Sequence, residues 1–175
     1  LEELGLDEAL GLARAGAKVL FEDAVRYARD HGVELKASAT FGPGSGTRIV
    51  SEAPPREGAI AVTSDVLERV RPSGDDLARI VEAGGRPRRV HAGEVWLDNR
   101  NLHGRFPELQ GERLGPVGVV SAVGTGFGER ADAVFAVATA LGAQRFGASG
   151  DVAWWAVDVA SVDSSVRAVH SALVG

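Results

Sequence analysis

The sequence predicts an α+β fold, made of a short α/β segment followed by two similar units of strand, helix and strand. Apolar residues alternate between helical and strand spacing along most of the 175 residues. A polar segment with two adjacent prolines, residues 51–58, interrupts this alternation and is the best candidate for a linker. The pattern after the linker occurs twice, at 59–98 and again from 116 onward, which indicates an internal repeat.

The first 50 residues are predicted to alternate helices with short strands. Helical spacing covers 6–15 and 22–30, with acidic residues in each first turn, where the helix dipole favours them. Strands are predicted at 33–37 and 47–50. The glycine-rich loop at 42–46 resembles a phosphate-binding loop. No Gly-Lys-Ser/Thr follows it, so we favour a tight connection.

The first repeat is predicted to contain a buried strand, a helix and a second strand. The first strand covers 59–63, and Ser73 is a suitable N-cap for the helix. We expect the apolar stripe of that helix to consist of Leu77, Ile80 and Val81. A strand at 89–97 follows, interrupted by a turn at 92–93. Residues 99–115 are polar and give no clear pattern.

The second repeat is more regular. It predicts, in order, a strand at 116–123, a loop at 124–128, a helix at 129–141, a turn at 146–150, a strand at 152–158 and a helix at 161–173. The loop reads Gly-Thr-Gly-Phe-Gly, but its third glycine comes too early for a dinucleotide fingerprint. Trp154 and Trp155 point to opposite faces of their strand, so we expect one in the core and the other at an interface.

Composition and charge argue against several classes of function. The net charge of −5 opposes nucleic-acid binding, because phosphates require a basic face. The basic cluster of Arg86, Arg88 and Arg89 is interpreted as a solvated turn or strand start rather than a phosphate site. The chain has no cysteine, and its four histidines lack metal-ligand spacing. No segment reaches the roughly 20 apolar residues of a membrane span, so we expect a soluble cytoplasmic protein without membrane or nucleic-acid partners.

Two motifs in the N-terminal segment resemble the end of the amino-acid kinase domain of aspartokinases. That family has Gly-Ala-Lys-Val-Leu-His-Pro-Arg, then a helix and a strand, then Asn-Thr-Phe-x-Pro-x-x-x-Gly-Thr. The matching residues are 16–20, Thr40, Phe41, Pro43, Gly46 and Thr47. The chain departs from the pattern at residues 21–23, where Phe-Glu-Asp replaces His-Pro-Arg, and at Ala39, which replaces Asn. The resemblance slightly favours a nucleotide-facing Lys18 over a lysine that only ends a strand.

The two repeats resemble the ACT modules of the same family, which are small ferredoxin-like units of βαββαβ type that bind amino acids. Landmarks of the second module are 123–126, 140–142, 148–149 and 169–173, and those of the first are 77–80, 82–84 and 93–95. The resemblance therefore implies three parts: the C-terminal end of an amino-acid kinase domain at 1–52, a first ACT-like module at 59–110 and a second at 115–175.

The resemblance implies the regulatory portion of an aspartokinase. Such a portion binds an end-product amino acid, lysine or threonine above all, or mediates homodimerisation, and so controls the phosphorylation of L-aspartate by ATP. Candidate effector-binding residues are Arg71, Ser73, Gly74 and Asp75 in the first module, and Gly124, Thr125, Gly126, Phe127 and Ser149 in the second. No catalytic residue, metal ligand or cofactor is expected in this segment; ATP and magnesium belong to the parent kinase, whose catalytic domain is the expected partner.

Two alternatives remain open at this stage. The effector loops depart from the family at 71–74 and at 130–132, where the usual Pro-Gly is missing, so a degenerate pair of modules with only a structural dimerisation role is possible. A small nucleotide-using enzyme built on 16–47 is the other alternative, and the Phe-Glu-Asp sequence at 21–23 argues against it. Because the chain contains no methionine, we expect a fragment or a processed chain that is not catalytic alone.

Overall fold

The computed structural model describes residues 2–17, 19–41, 44–54, 56 and 58–174. Its helices and strands are, in chain order, β1 (Glu3–Gly5), α1 (Leu6–Arg14), α2 (Glu22–His31), β2 (Leu35–Ala37), β3 (Thr47–Val50), β4 (Gly58–Arg71), α3 (Asp76–Glu82), β5 (Arg86–His91), β6 (Glu94–Asp98), β7 (Glu112–Thr125), α4 (Ala131–Leu141), β8 (Phe146–Ser149), β9 (Val152–Val157) and α5 (Val162–Leu173). Most of these elements follow the predicted order.

The N-terminal unit is a small sheet covered by two helices. Its strand order is β1-β3-β2, with β1 parallel and β2 antiparallel to β3. Helices α1 and α2 pack on this sheet and bury the predicted apolar positions around Leu10, Val25 and Ile49. Strand β1 was not predicted, because three residues are too few to show a period. The assignment of this unit to a kinase domain stays a prediction.

The two repeats form one continuous antiparallel sheet of six strands, in the order β5-β6-β4-β7-β9-β8. Each repeat contributes three strands, and the long central strands β4 and β7 pair from Gly58–Thr125 at one end to Arg71–Glu112 at the other. The α+β class and the repeated unit are confirmed. The expectation of two complete βαββαβ modules is corrected, because each three-strand unit is completed by the central strand of the other. The predicted domain boundaries stay a prediction.

Several strands differ from their predicted extent for identifiable reasons. Strands β4 and β7 each have 14 residues, since their charged positions are paired within the sheet instead of ending it; Glu68, for example, accepts two hydrogen bonds from Arg113 at 2.9 and 3.1 Å. The predicted turn at 146–150 is instead mostly the edge strand β8, where small residues are tolerated. The predicted turn at 92–93 is confirmed and joins β5 to β6.

The helices of the repeats lie on one face of the six-stranded sheet, and the N-terminal unit lies on the other. Val120 and Ala122 of β7 pack beneath α4 and α5. On the opposite face, α1 approaches so closely that a Cβ at Gly11 would lie 3.1 Å from Val123 Cγ1. Glycine at this position therefore allows the N-terminal unit to contact the sheet.

The predicted apolar stripe of α3 is only partly correct. Ile80 is fully buried, but Leu77 and Val81 are 37% and 49% exposed. The fully buried Asp76 takes a place on the inner side of the helix. Helix α3 has only seven residues, so a single apolar side chain and one hydrogen-bonded carboxylate are enough to hold it.

We call the face of the sheet opposite the repeat helices the concave face, and on it two tryptophan side chains meet across the central strands. The rings of Trp96 on β6 and Trp154 on β9 are 5.5 Å apart, although β4 and β7 lie between these strands. Three strand spacings, about 14 Å, separate β6 from β9, so the two side chains extend towards each other over β4 and β7. Trp154 and Trp155 do point to opposite faces, as predicted: Trp155 is fully buried under the helices and donates to the Val134 carbonyl at 3.0 Å.

Candidate functional site

The first set of predicted effector residues lies together in the turn between β4 and α3, but a carboxylate of the chain already fills this turn. Asp76 accepts hydrogen bonds from the backbone N–H groups of Ser73 at 2.9 Å, Gln110 at 2.9 Å and Gly111 at 2.8 Å. Its other partner is the Arg79 guanidinium, at 2.7 Å. Burial raises the pKa of Asp76, but these hydrogen bonds outweigh it and lower the pKa to about 2.

The same turn is closed by the segment that precedes β7. The Gln110 side chain donates to Asp75 at 3.0 Å, and a Cβ at Gly74 would lie 2.5 Å from Gln110 Oε1. Asp75, not the predicted Ser73, is the residue at the N-cap of α3. The backbone groups that could receive an effector carboxylate are therefore occupied by Asp76. Arg71, at the end of β4, pairs with Glu112 at 2.5 Å.

The second set of predicted residues also comes together. The backbone N–H groups of Gly124 and Phe127 donate to the carbonyls of Asp151 and Gly150, at 2.9 and 3.1 Å. These bonds bring the loop after β7 beside the β8–β9 turn, next to Ser149.

The sides of this second loop differ in character. Phe127 is only 1% exposed and packs in the core beneath α4. The Thr125 hydroxyl donates to the Arg56 carbonyl. A cavity of about 600 Å³ lies beside the loop, lined by Gly58, Thr125, Gly126, Glu129, Arg130 and Leu173. The second loop therefore has open space that the first loop lacks.

The two sets lie at opposite ends of the central strand pair. Thr125 pairs with Gly58 at the start of β4, and Arg71 stands at the other end of that strand. Fourteen residues of strand separate the two loops by roughly 40 Å. One amino acid cannot contact both loops of the same chain. The remaining candidate, Lys18, lies outside the described residues.

A third site, which was not predicted, lies between the end of α1 and the concave face. It is a cavity of about 150 Å³ lined by Arg14, Ala15, Asp65, Leu67, Arg88, Arg89, Val119 and Val152. The interpretation of Arg88 and Arg89 as solvated is wrong: the side chain of Arg88 is only 17% exposed, and Arg89 is stacked inside the chain.

Most charges around this cavity belong to one network that connects the N-terminal unit to the sheet. Arg88 contacts Glu22 of α2 and Asp98 of β6, both at 3.3 Å. Arg100 then joins Asp98 at 2.6 Å to Asp65 at 3.1 Å. The Arg100 hydrogen bonds are the main cause that lowers the pKa of Asp98 to about 2, whereas burial raises the pKa of Asp65 above its usual value.

Arg89 is the exception in this cluster. Its guanidinium stacks 4.5 Å above the Trp154 ring and donates to Ser121 Oγ at 3.4 Å. Within the part of the chain that the structure describes, no carboxylate lies at ion-pair distance from it. Burial lowers its pKa to about 10. A desolvated cation–π contact contributes about 2 kcal/mol, less than the several kcal/mol that burying an ion costs, so the Arg89 charge is incompletely compensated.

Local sequence could not identify this site, because its members come from five separate elements. One signal was available, namely that the predicted strand starts at Arg89. Because side chains of a strand alternate between the two faces of a sheet, a charged residue in the strand must lie on one of those faces. Among the residues that the structure describes, no group of three or more metal-ligating side chains is arranged to hold an ion. Over the same described residues no helix combines the length and the apolar character of a membrane span.

The fold has close counterparts among solved structures, although no protein-family model and no curated protein matches the sequence. E. coli aspartokinase III in complex with aspartate and ADP (R-state) covers 100% of the chain with a TM-score of 0.73 and 16% identity. The same enzyme in complex with lysine and aspartate (T-state) covers 98%, with a TM-score of 0.73 and 17% identity. Clostridium acetobutylicum aspartate kinase covers 98%, with a TM-score of 0.64 and 16% identity.

The match is complete for this chain but partial for those enzymes. The chain spans 47%, 46% and 48% of their respective lengths, which is about half of each. At this level of identity the likeness concerns the fold. The resemblance drawn from the sequence motifs is thereby confirmed for the architecture: this chain has the fold of about half of an aspartokinase.

Proposed function

We propose that the chain is the regulatory portion of an aspartokinase and binds an end-product amino acid, with lysine and threonine as the leading candidates. The observation that supports this most is the match of 98% of the chain to an E. coli aspartokinase III whose crystal structure contains lysine and aspartate. The duplicated unit, which the motifs identify with ACT modules, supports the same proposal.

The proposed mechanism is allosteric control of a kinase domain. An amino acid that binds one arrangement of the sheet and the N-terminal unit more tightly than another shifts the equilibrium between the two. The ion pairs of Arg88 with Glu22 and Asp98 connect these two parts and supply contacts that can differ between the states. The kinase domain, its ATP and its magnesium, and a second copy of the chain are the proposed partners, and the cytoplasm is the proposed location.

Calorimetric titration of the chain with lysine, threonine and methionine tests this proposal. We expect saturable binding of one of these amino acids, and none of its D-enantiomer, because a chiral site distinguishes the two. Activity of a kinase-containing chain, assayed with aspartate and ATP, should fall when that amino acid is added. Failure of all three amino acids to bind would contradict effector sensing.

A purely structural role is the second candidate, and one observation favours it. The Asp76 carboxylate occupies the turn of the first repeat in which an effector carboxylate was expected. In that case the modules only hold two copies together. Light scattering with and without amino acids separates the two functions, since a structural pair has the mass of a dimer at every amino-acid concentration and a sensor changes its assembly or its affinity.

A further inference from the structure

We propose that the cavity between α1 and the concave face binds a small α-amino acid as its zwitterion, with Arg89 as the partner of the carboxylate and Asp65 as the partner of the ammonium group. This inference rests on the proposed sensing function and assigns it a site away from the two strand–helix loops. The ligand class is set by the opposite charges that line one cavity.

The carboxylate end of the site is defined by Arg89. Arg14 and Arg88, which line the same cavity, are already paired with Glu22 at 3.0 and 3.3 Å. Arg89 has a ring beneath it and a serine hydroxyl, but no acid among the described residues. A guanidinium offers two parallel N–H groups that match a carboxylate, and Arg89 is the lining arginine whose charge no described carboxylate already pairs.

The ammonium end is defined by Asp65. Its side chain is only 9% exposed, and its known partners are the Val66 backbone N–H at 2.9 Å and the Arg100 guanidinium at 3.1 Å. A carboxylate has about four lone-pair sites, so these two bonds leave acceptor capacity for a third donor. Burial raises its pKa, which agrees with a charge that Arg100 does not fully compensate.

The walls and the size of the cavity restrict the side chain of the ligand. Leu67, Val119 and Val152 provide apolar surface between the charged groups. The volume of about 150 Å³ is close to that of engineered cavities that bind benzene. This volume suits amino acids with short side chains, from glycine to threonine, better than lysine or methionine, whose longer side chains would extend past Arg14 towards solvent. Arg14, whose side chain is 54% exposed, stands where the cavity meets solvent.

A ligand in this cavity would contact both parts of the molecule. Arg14 and Ala15 belong to the end of α1, whereas Arg89 and Asp65 belong to the sheet. Binding would therefore hold the N-terminal unit against the concave face. That gives the proposed regulation a physical route that does not pass through either loop.

Titration calorimetry on the unaltered chain provides the first test. We expect threonine, serine and alanine to bind, and lysine and methionine to bind roughly tenfold more weakly or not at all. Threonine amide, which lacks the carboxylate, and N-acetylthreonine, which lacks the ammonium group, should each lose at least about tenfold in affinity. Equal binding of threonine and either derivative would overturn the zwitterion site.

Substitution of the two charged residues provides the second test. Arg89→Met and Asp65→Asn should each weaken threonine binding by about tenfold or more, because each removes one charged partner. Arg86→Met is the matched control for the first variant, since Arg86 is exposed on the same strand and does not line the cavity. This control should bind threonine normally.

The outcomes distinguish this inference from the function on which it rests. If an amino acid binds the chain but its affinity is unchanged in Arg89→Met and Asp65→Asn, the cavity is not the site and sensing elsewhere survives. If no amino acid binds at all, both proposals fail. Thermal unfolding of each variant shows whether it is folded. If Arg89→Met does not fold, the comparison of threonine with its amide and N-acetyl derivatives on the unaltered chain still tests the zwitterion site.

Discussion

The two loops that follow β4 and β7 occupy equivalent places in the two repeats, yet opposite kinds of interaction hold them. A carboxylate fixes the first loop, because Asp76 accepts the N–H groups of Ser73, Gln110 and Gly111. A ring fixes the second loop, because Phe127 is 1% exposed and packs beneath α4. A repeated backbone can thus keep its course while its anchor changes from polar to apolar.

This difference bears on where a ligand has room. In the first repeat Asp76 saturates the turn and the Gln110 side chain covers it. In the second repeat the anchor lies below the loop, and a cavity of about 600 Å³ remains beside Gly126 and Arg130. An effector that used a strand–helix loop would therefore find space in the second repeat and not in the first.

Removal of the apolar anchor is expected to have the largest effect. Phe127→Ala should lower the free energy of unfolding by about 3–5 kcal/mol, because it leaves a cavity in the core beneath α4. The control is Phe135→Ala on α4. It removes a ring that is 63% exposed and should lower the free energy of unfolding by less than about 1 kcal/mol. Urea denaturation monitored by circular dichroism measures both values. Similar losses in the two variants would show that Phe127 is not the anchor.

Removal of the polar anchor, the Asp76 carboxylate, should cause the second largest loss of stability. Asp76→Ala leaves three part-buried backbone N–H groups and the Arg79 guanidinium without their acceptor, so the unfolding midpoint should fall by several degrees or more. Asp75→Ala is the neighbouring control, since the Asp75 carboxylate is exposed and its partners among the described residues are the side chains of Arg79 and Gln110. Calorimetric melting compares them. Equal midpoints for the two variants would refute the role given to Asp76.

The two anchors should also differ in their response to acid. Because the pKa of Asp76 is lowered to about 2 from an unfolded value of about 3.9, its contribution is complete above pH 4 and is lost as pH falls towards 2. Asp98 behaves in the same direction and over the same interval.

Comparison of variants isolates the part due to Asp76. Between pH 4 and pH 2, Asp76→Asn should lose less stability than the unaltered chain, although Asp98 still titrates in both. Phe127→Leu should retain the full acid dependence. Urea midpoints measured at several pH values give the slopes, and parallel curves for Asp76→Asn and the unaltered chain would count against the lowered pKa.

The smallest effect is expected at the rim of the second loop. Thr125→Val removes the hydroxyl that donates to the Arg56 carbonyl and should cost about 1 kcal/mol. Thr125→Ser keeps the hydroxyl and should restore most of that loss. Denaturant midpoints of the two variants decide, and a Thr125→Ser variant as unstable as Thr125→Val would assign the effect to the methyl group instead.

Elements with a strong local period were predictable from sequence, and those defined by distant partners were not. Helices α4 and α5 were predicted within two residues at each end, because their apolar residues recur at helical spacing. The hairpin at 92–93 was also correct. The second half of β4 was missed because charges at 65, 68, 69 and 71 interrupt its apolar residues and hide the strand period, whereas Glu68 is paired with Arg113 on the neighbouring strand.

The candidate sites were even less predictable from local sequence than the strands were. The residues of both loops were found by resemblance, but the role of Asp76 depends on donors at Gln110 and Gly111, more than 30 positions away. The burial of Arg89 depends on Trp154 in the other repeat. No local pattern encodes such a contact, and long-range pairing of this kind is why the third cavity was not anticipated.

The shared central strands make the stability of each repeat depend on the other. Since β4 of one repeat and β7 of the other form a common ladder along strands of 14 residues each, either half alone would be a three-stranded sheet with its longest strand at an edge. Separating the two halves would expose two long strand edges of the kind that pair with strands of other molecules. The two halves therefore share one continuous ladder, and a ligand that restrains one half also acts on the strand to which the other half is bonded.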